Sequence, residues 1–225
     1  MASVRQLTAQ GLLFDLDGTL ISTLGTTERI YTEHAHAHKI DPTPIINFCH
    51  GIPTLQILQK FFPASTHTKE YADAMELEAA VDTDGLCAIP GAIGLVESMP
   101  RDKWAIFTSG MPFLAQPRMK HLGMHIPSVF VTPVDITNGK PHPEGYVLAA
   151  KRLGVDPAHC IVFEDARAGI KAGTQSGAVV VGIRTHLTDA QLKEAGAQYT
   201  VSDMTKVTVS SKNDDGSIVV TVDES

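Results

Sequence analysis

The sequence predicts an α/β fold: a doubly wound parallel sheet with a small inserted α-helical domain and a C-terminal β-hairpin. Three observations carry that expectation. Five short apolar runs read as strands buried on both faces, helical segments alternate with them from the second run onward, and one long helical stretch separates the first run from the rest.

The first run is "GLLFDLD" at 11–17. From about Ser22 to about Leu86 the chain then reads as helix after helix, in "TTERIYTEHAHAHKI", "PTLQILQKFF" and "KEYADAMELEAAV", with no clear strand. We read residues 22–86 as an inserted helical cap and 1–21 with 87–225 as the core. The core resumes with the runs "KWAIFTS", "SVFVT", "HCIVFED" and "GAVVVGI". Between them, "PEGYVLAAKRLG" starts after a proline and stops at Gly154, and "DARAGIKAGTQSG" runs from a candidate Asp cap to a closing glycine. In the tail "KVTVSSKNDDGSIVVTV", two β-rich runs flank "NDDG", a hairpin signal. Leu55, Leu58, Phe61 and Phe62 recur at helical spacing and read as the core of the cap.

Composition narrows the partners. A chain of 225 residues, 43% hydrophobic, is long enough to bury a full core. With 25 acidic and 18 basic residues the net charge is −7, which argues against nucleic acid and against an anionic membrane surface, and favours a small-molecule substrate. Cys49, Cys87 and Cys160 are odd in number and far apart, so neither a disulfide framework nor a zinc knuckle is expected. No signal-peptide core or run of about 18 apolar residues occurs. A soluble, cytoplasmic protein is expected, and without coiled-coil heptads the default is a monomer.

Ligands of open α/β sheets bind beyond the carboxyl ends of the strands, so the residues following each run carry the functional signal. After the first run come Asp15, Asp17 and Gly18; after the second, Thr108, Ser109 and Gly110; beyond the third, Lys140; and at the end of the fourth, Glu164 and Asp165. Alternation along an extended segment lets Asp15 and Asp17 face one side. Two carboxylates so close raise one another's pKa unless a cation lies between them. Glu164 and Asp165 add further oxygen donors, and an all-oxygen set suits Mg²⁺ rather than zinc. The Thr108 hydroxyl and the N–H groups of Ser109 and Gly110, at a predicted helix N-terminus, suit anionic oxygens, and Lys140 adds positive charge. These are the parts phosphoryl transfer needs. Taken singly, Asp165 and Ser109 also read as helix N-caps, and Lys140 and Glu164 as surface charges. Their joint placement at strand ends is what favours a site. The "HAHAH" run puts only His34 and His38 on one helix face and reads as a solvated face rather than a metal site.

With "DLDGTL", Thr108, Lys140 and "ED" at 164–165 in this order, the chain resembles the haloacid dehalogenase superfamily. "KWAIFTSG", "NGKPHPEGY", "VFEDARAGIKAG" and "NDDG" are similar to the fungal 2-deoxyglucose-6-phosphate and glycerol-phosphate phosphatases of that superfamily over nearly the whole chain. The resemblance implies a Rossmannoid core, Mg²⁺ as cofactor and a small phosphate ester as substrate. It implies Asp15 as a nucleophile that becomes an aspartyl-phosphate, and Asp17 as the acid that protonates the leaving oxygen and then activates water. Asp15, Asp165 and the main-chain carbonyl of Asp17 would hold Mg²⁺ with Glu164 assisting, and Thr108 and Lys140 would bind phosphoryl oxygens. His50 and Gly51 match a substrate-contacting "HG" segment of the cap, but Pro53 stands where relatives usually carry arginine. Arg167 replaces a proline of relatives and is the candidate to supply part of the missing charge. The expected function is thus a Mg²⁺-dependent phosphatase of sugar or polyol phosphates. A phosphosugar mutase on the same scaffold is the alternative, and a catalytically silent phosphosugar-binding protein is a third reading.

Overall fold

The computed structural model describes residues 3–49, 53–212 and 216–225, the last two residues before the second gap by their backbone alone. His50 and Gly51 therefore lie outside the described residues, as does most of the "NDDG" turn. The chain divides into two compact units, Met1–Ser22 with Cys87–Ser225, and Thr23–Leu86.

In the larger unit the first strands are β1 (Val4–Ala9), β2 (Gly11–Phe14) and β3 (Ile21–Ser22). Among the described residues of the smaller unit are four α-helices, α1 (Leu24–Ala37), α2 (Thr43–Cys49), α3 (Thr54–Phe61) and α4 (Lys69–Val81). The chain returns through β4 (Cys87–Ala88), α5 (Ala92–Ser98), β5 (Trp104–Phe107), α6 (Pro112–His121) and β6 (Val129–Val131). It continues with α7 (Glu144–Leu153), β7 (Cys160–Glu164), α8 (Arg167–Gln175), β8 (Val179–Ile183), α9 (Asp189–Ala195) and β9 (Tyr199–Val201), and ends in β10 (Val207–Lys212) and β11 (Ile218–Asp223).

Six strands form one sheet in the order β6-β5-β2-β7-β8-β9, and all of their pairings are parallel. Every residue of β2, β5 and β7 is buried. Helices packed on both faces of a parallel sheet leave no solvated side, which is why these strands are continuous apolar runs rather than alternating ones. The chain starts near the middle at β2, winds outward through β5 and β6, then crosses to β7 on the other side. The carboxyl end of β2 is thus flanked by those of β5 and β7 at the reversal of strand order, where α/β sheets bind ligands.

The five expected strands are all present, and so is the helix that stops at Gly154, which takes the left-handed conformation. Strand β9 adds an edge that was too short to show a period. Strand β1 was also not foreseen: its residues are mostly exposed, and it is held by antiparallel pairing with β11 from the far end of the chain. With β10 these two form a separate three-stranded sheet, so the tail does pair as two antiparallel strands.

In the helical unit, Ile30, Tyr31, Ile45, Ile57, Leu58 and Met75 form a buried core, with Leu55 and Phe61 packed against it and Phe62 within it. The Tyr31 hydroxyl donates to Thr54 Oγ1 at 3.2 Å. His34 and His38 share a helix face and meet α4: ring nitrogens of both contact the Tyr71 hydroxyl, and His34 Nε2 lies 2.8 Å from Glu78 Oε2. A carboxylate does reach this run through the fold, yet among the described residues the three-residue cluster with metal-holding geometry is elsewhere. No disulfide joins Cys49, Cys87 and Cys160. No described helix is long and apolar enough to cross a membrane.

Candidate active site

Asp15 directly follows β2, and its amide donates to the carbonyl of Phe163 on the neighbouring strand at 3.0 Å, which fixes the position where the carboxylate emerges. Asp17 follows two residues on. Gly18 then turns the chain with φ +90°, and a Cβ there would stand 2.1 Å from Asp165 Oδ2, so the close approach of the two strand ends requires glycine. The Gly18 carbonyl accepts from the Thr185 hydroxyl at 2.5 Å, and Thr19 Oγ1 lies 3.5 Å from Asp165 Oδ1. Thr108 emerges from β5 with its amide bonded to Val131.

Lys140 arrives from the loop after β6. That loop is pinned by Glu144 at the start of α7, whose carboxylate accepts from the amides of Thr137 and Asn138 at 2.8 and 2.9 Å. The Lys140 ammonium sits between two buried carboxylates, 2.5 Å from Asp15 Oδ1 and 2.5 Å from Glu164 Oε1. Glu164 is held on both oxygens: Oε1 also accepts from the Tyr146 hydroxyl at 3.0 Å, and Oε2 accepts from the Ala166 amide at 3.0 Å. Lys140 is therefore a buried pair member, not the solvated lysine its residue type alone suggests.

A cleft of about 250 Å³ is lined by Asp15, Asp17, Thr108, Ser109, Lys140, Glu164 and Asp165. The candidates named from four separate strand ends thus face one cavity. A second groove of about 220 Å³, bounded by Pro133, Ile136 and Thr137, shares Thr108, Ser109 and Lys140 with it.

Several expectations need correction. Neither Asp165 nor Ser109 caps a helix: α8 is preceded by Ala166 without a side-chain cap, and α6 begins only at Pro112 after Met111. The Gly110 amide is consequently not at the helix N-terminus and donates instead to Thr108 Oγ1 at 2.9 Å. The guanidinium of Arg167 pairs with Glu194 on α9 at 2.9 Å. It is not among the residues lining the cleft. Arg118 on α6, which sequence reasoning passed over, bonds Asp17 Oδ1 at 3.1 Å. Tyr146 and Thr185 were also missed, because a single hydroxyl in a helix or loop carries no distinguishing spacing, and Thr19, though part of "DLDGTL", had no role assigned to it.

Burial dominates the electrostatics. It pushes the Asp15 carboxyl up to about 7 against the opposing pull of Lys140, with the charges of Glu164 and Asp17 adding to the rise. Burial, then the neighbouring charges of Glu164 and Asp15, holds Asp165 well above the usual carboxylate range. Asp17 is raised by burial and drawn back by Arg118 and Lys140. Lys140 feels the opposite balance: burial works against its charge, but Asp15 and Glu164 outweigh it and keep the ammonium protonated.

The residues fit a divalent cation. One carboxylate oxygen from each of Asp15, Glu164 and Asp165 lies within 4.8 Å of the other two, and all three residues are buried. The donor set contains oxygen alone, which suits a hard cation such as Mg²⁺. With Asp17 counted, the cleft holds four carboxylates against two paired cations, Lys140 on Asp15 and Glu164 and Arg118 on Asp17, so a dication would complete the charge balance.

The packing around Glu164 leaves no slack. A Cβ on Gly169 of α8 would stand 1.6 Å from Glu164 Oε1. Gly169→Ala is expected to cost about 3 kcal/mol of stability by overpacking and to displace Glu164 from Lys140, with a lowered Tm in thermal melts and lowered turnover as the checks.

The sequence profile of the haloacid dehalogenase-like hydrolases matches residues 9–177. The chain is 37% identical to 2-deoxyglucose-6-phosphate phosphatase 1 of Saccharomyces cerevisiae, over 95% of this chain and 96% of that protein. It is 34% identical to hexitol phosphatase A of Escherichia coli, over 94% and 98% of the two chains. Among solved structures it is similar to a hydrolase from Pseudomonas syringae, with a TM-score of 0.65 and 27% identity over 86% of this chain and 93% of the other.

Proposed function

The chain belongs to the haloacid dehalogenase-like hydrolases, and on that footing we propose that it is a Mg²⁺-dependent phosphatase of small sugar or polyol phosphates working through an aspartyl-phosphate on Asp15. The observation that carries this reading is the Asp15–Lys140–Glu164 arrangement beside Asp165, Asp17 and Thr108 in one cleft.

Each residue has work that follows from its surroundings. Lys140 and the Thr108 hydroxyl bind phosphoryl oxygens, and Lys140 also orients Asp15 and opposes the burial that favours its protonated form. Asp15 attacks phosphorus; its carboxylate oxygen forms the new P–O bond as the bond to the ester oxygen breaks. Asp17 gives its proton to the departing alkoxide and afterwards takes one from the water that hydrolyses the acyl-phosphate, so one difficult displacement becomes two easier ones. Asp15, Asp165 and the main-chain carbonyl of Asp17 are the groups that would hold Mg²⁺, with Glu164 behind them fastening Lys140. When bound, the ion neutralises charge on the phosphoryl oxygens and on the crowded carboxylates. Substrate selection is assigned to the helical unit, where Pro53 offers no charge.

The reading is tested by phosphate release from a panel of hexose, pentose and polyol phosphates, with Mg²⁺ and with EDTA. Mg²⁺-dependent release from at least one ester is expected; conservation of the phosphoryl group on an isomeric sugar would indicate a mutase instead.

Metal binding also has a stability signature. Because the folded-state pKa of Asp15 is raised from the usual carboxylate value to about 7, its contribution to stability is present at acid pH and is lost as pH rises toward and through 7. A dication binds the ionised form, so Mg²⁺ offsets that loss. The increase in Tm on adding Mg²⁺ is expected to be larger at pH 8 than at pH 5, as read by thermal melts with and without EDTA.

A further inference from the structure

We infer that Arg118 is a positioning residue for proton transfer: its guanidinium holds Asp17 Oδ1 and thereby aims Oδ2 into the phosphoryl cleft. The inference rests on the proposed role of Asp17 as the acid.

Asp17 precedes a glycine in the left-handed conformation at a strand end, and its side chain is 32% exposed, so the local backbone alone does not fix its rotamer. Arg118 reaches it from 101 residues away, at 3.1 Å, from a guanidinium whose side chain is only 12% exposed. An ion pair at the open surface contributes little, but a largely sequestered guanidinium has lost most of its water, which strengthens its hold on the carboxylate it meets. With Oδ1 engaged, Oδ2 faces the loop after β5: it lies 3.6 Å from where a Cβ on Gly110 would stand, a point that is also 3.3 Å from Thr108 Oγ1. Helix α6 follows this loop directly and carries Arg118, so one element sets both the phosphate-binding loop and the direction of the acid.

In the first half-reaction the bond from Asp15 to phosphorus forms, the bond from phosphorus to the ester oxygen breaks, and the proton on Asp17 Oδ2 goes to that oxygen. In the second, water attacks phosphorus, its proton returns to Oδ2 and Asp15 leaves as carboxylate. Arg118 is not among the residues lining the cleft and acts through Asp17 Oδ1, the oxygen that does not carry the proton. A carboxyl free to rotate would lose alignment, and misplacement by about 1 Å costs on the order of 100-fold.

The test compares kcat/KM on two esters. This ratio reads steps up to leaving-group departure, where an alkyl ester such as the best sugar or polyol phosphate of the panel needs the proton and p-nitrophenyl phosphate does not. Arg118→Met is expected to lose about 100-fold on the alkyl ester but at most about threefold on p-nitrophenyl phosphate. Asp17→Asn should show the same selective loss, and Arg118→Lys should recover part of it. Should Arg118→Met fail to fold in thermal melts, the smaller selective loss in Arg118→Lys carries the test. An Arg118 variant with equal losses on both esters, or none, overturns the inference while Asp17→Asn remains selective. If Asp17→Asn is itself unselective, the role given to Asp17 is what fails, and the inference fails with it.

Discussion

Asp15→Asn is expected to lower phosphate release by at least about 10⁴-fold while leaving the protein as stable as the wild type in EDTA, or more so. The two effects have one cause. The ionised Asp15 carboxylate is buried beside Glu164 and Asp17, an arrangement that favours its protonated form, with a pKa of about 7. An amide keeps the size and one acceptor oxygen for Lys140 but cannot attack phosphorus. It also removes one negative charge from the cluster, and Lys140 keeps its 2.5 Å contact to Glu164. Catalytic groups held at a stability cost are a recurrent trade-off, and here thermal melts near pH 8, where the wild-type group is mostly ionised, read it directly.

Lys140→Met is expected to do the opposite to stability. Removing the cation from between Asp15 and Glu164 leaves two buried carboxylates without it, a change that costs about 3–5 kcal/mol when a buried pair is broken. Turnover should fall at least about 100-fold through the lost contact to the phosphoryl oxygens. The deficit depends on pH in a defined direction. Lys140 lowers the pKa of Asp15 in the wild type, so its loss raises that pKa further above 7. A carboxyl with a raised folded-state pKa supplies its stability below the unfolded value of about 4 and loses it as pH rises through the folded value. The variant should therefore be least stable relative to wild type above pH 7 and recover toward it as the pH falls to about 5, which denaturant titrations across that range measure.

What could be read in the sequence follows from how far each signal travels along the chain. Strands β2, β5, β6, β7 and β8 were legible because burial on both faces writes them as unbroken apolar runs, and the residues at their ends then name the cleft. Strand β1 was not, since its stability comes from register with β11 rather than from its own apolar content. The start of α6 differs from the expectation that placed the Ser109 and Gly110 amides at a helix N-terminus: the helix waits for Pro112 at its first turn, where proline's missing N–H costs nothing. Arg118 carried no sequence signal, because an arginine in a helix reads as a surface charge until its partner, Asp17, is brought to it. Arg167 shows the converse. Its departure from the pattern of relatives drew notice, while the fold gives it Glu194 as partner.

The most direct test of the central claim, that Asp15 carries the phosphoryl group, is rapid acid quench of the enzyme with a radiolabelled phosphate ester and Mg²⁺, followed by peptide mapping. The account predicts a hydroxylamine-labile phosphoryl label on the peptide containing Asp15, formed within the first turnover, absent from Asp15→Asn and more abundant in Asp17→Asn with an aryl ester, where breakdown of the intermediate is slowed. Full turnover by Asp15→Asn, or label recovered on another residue, would contradict it.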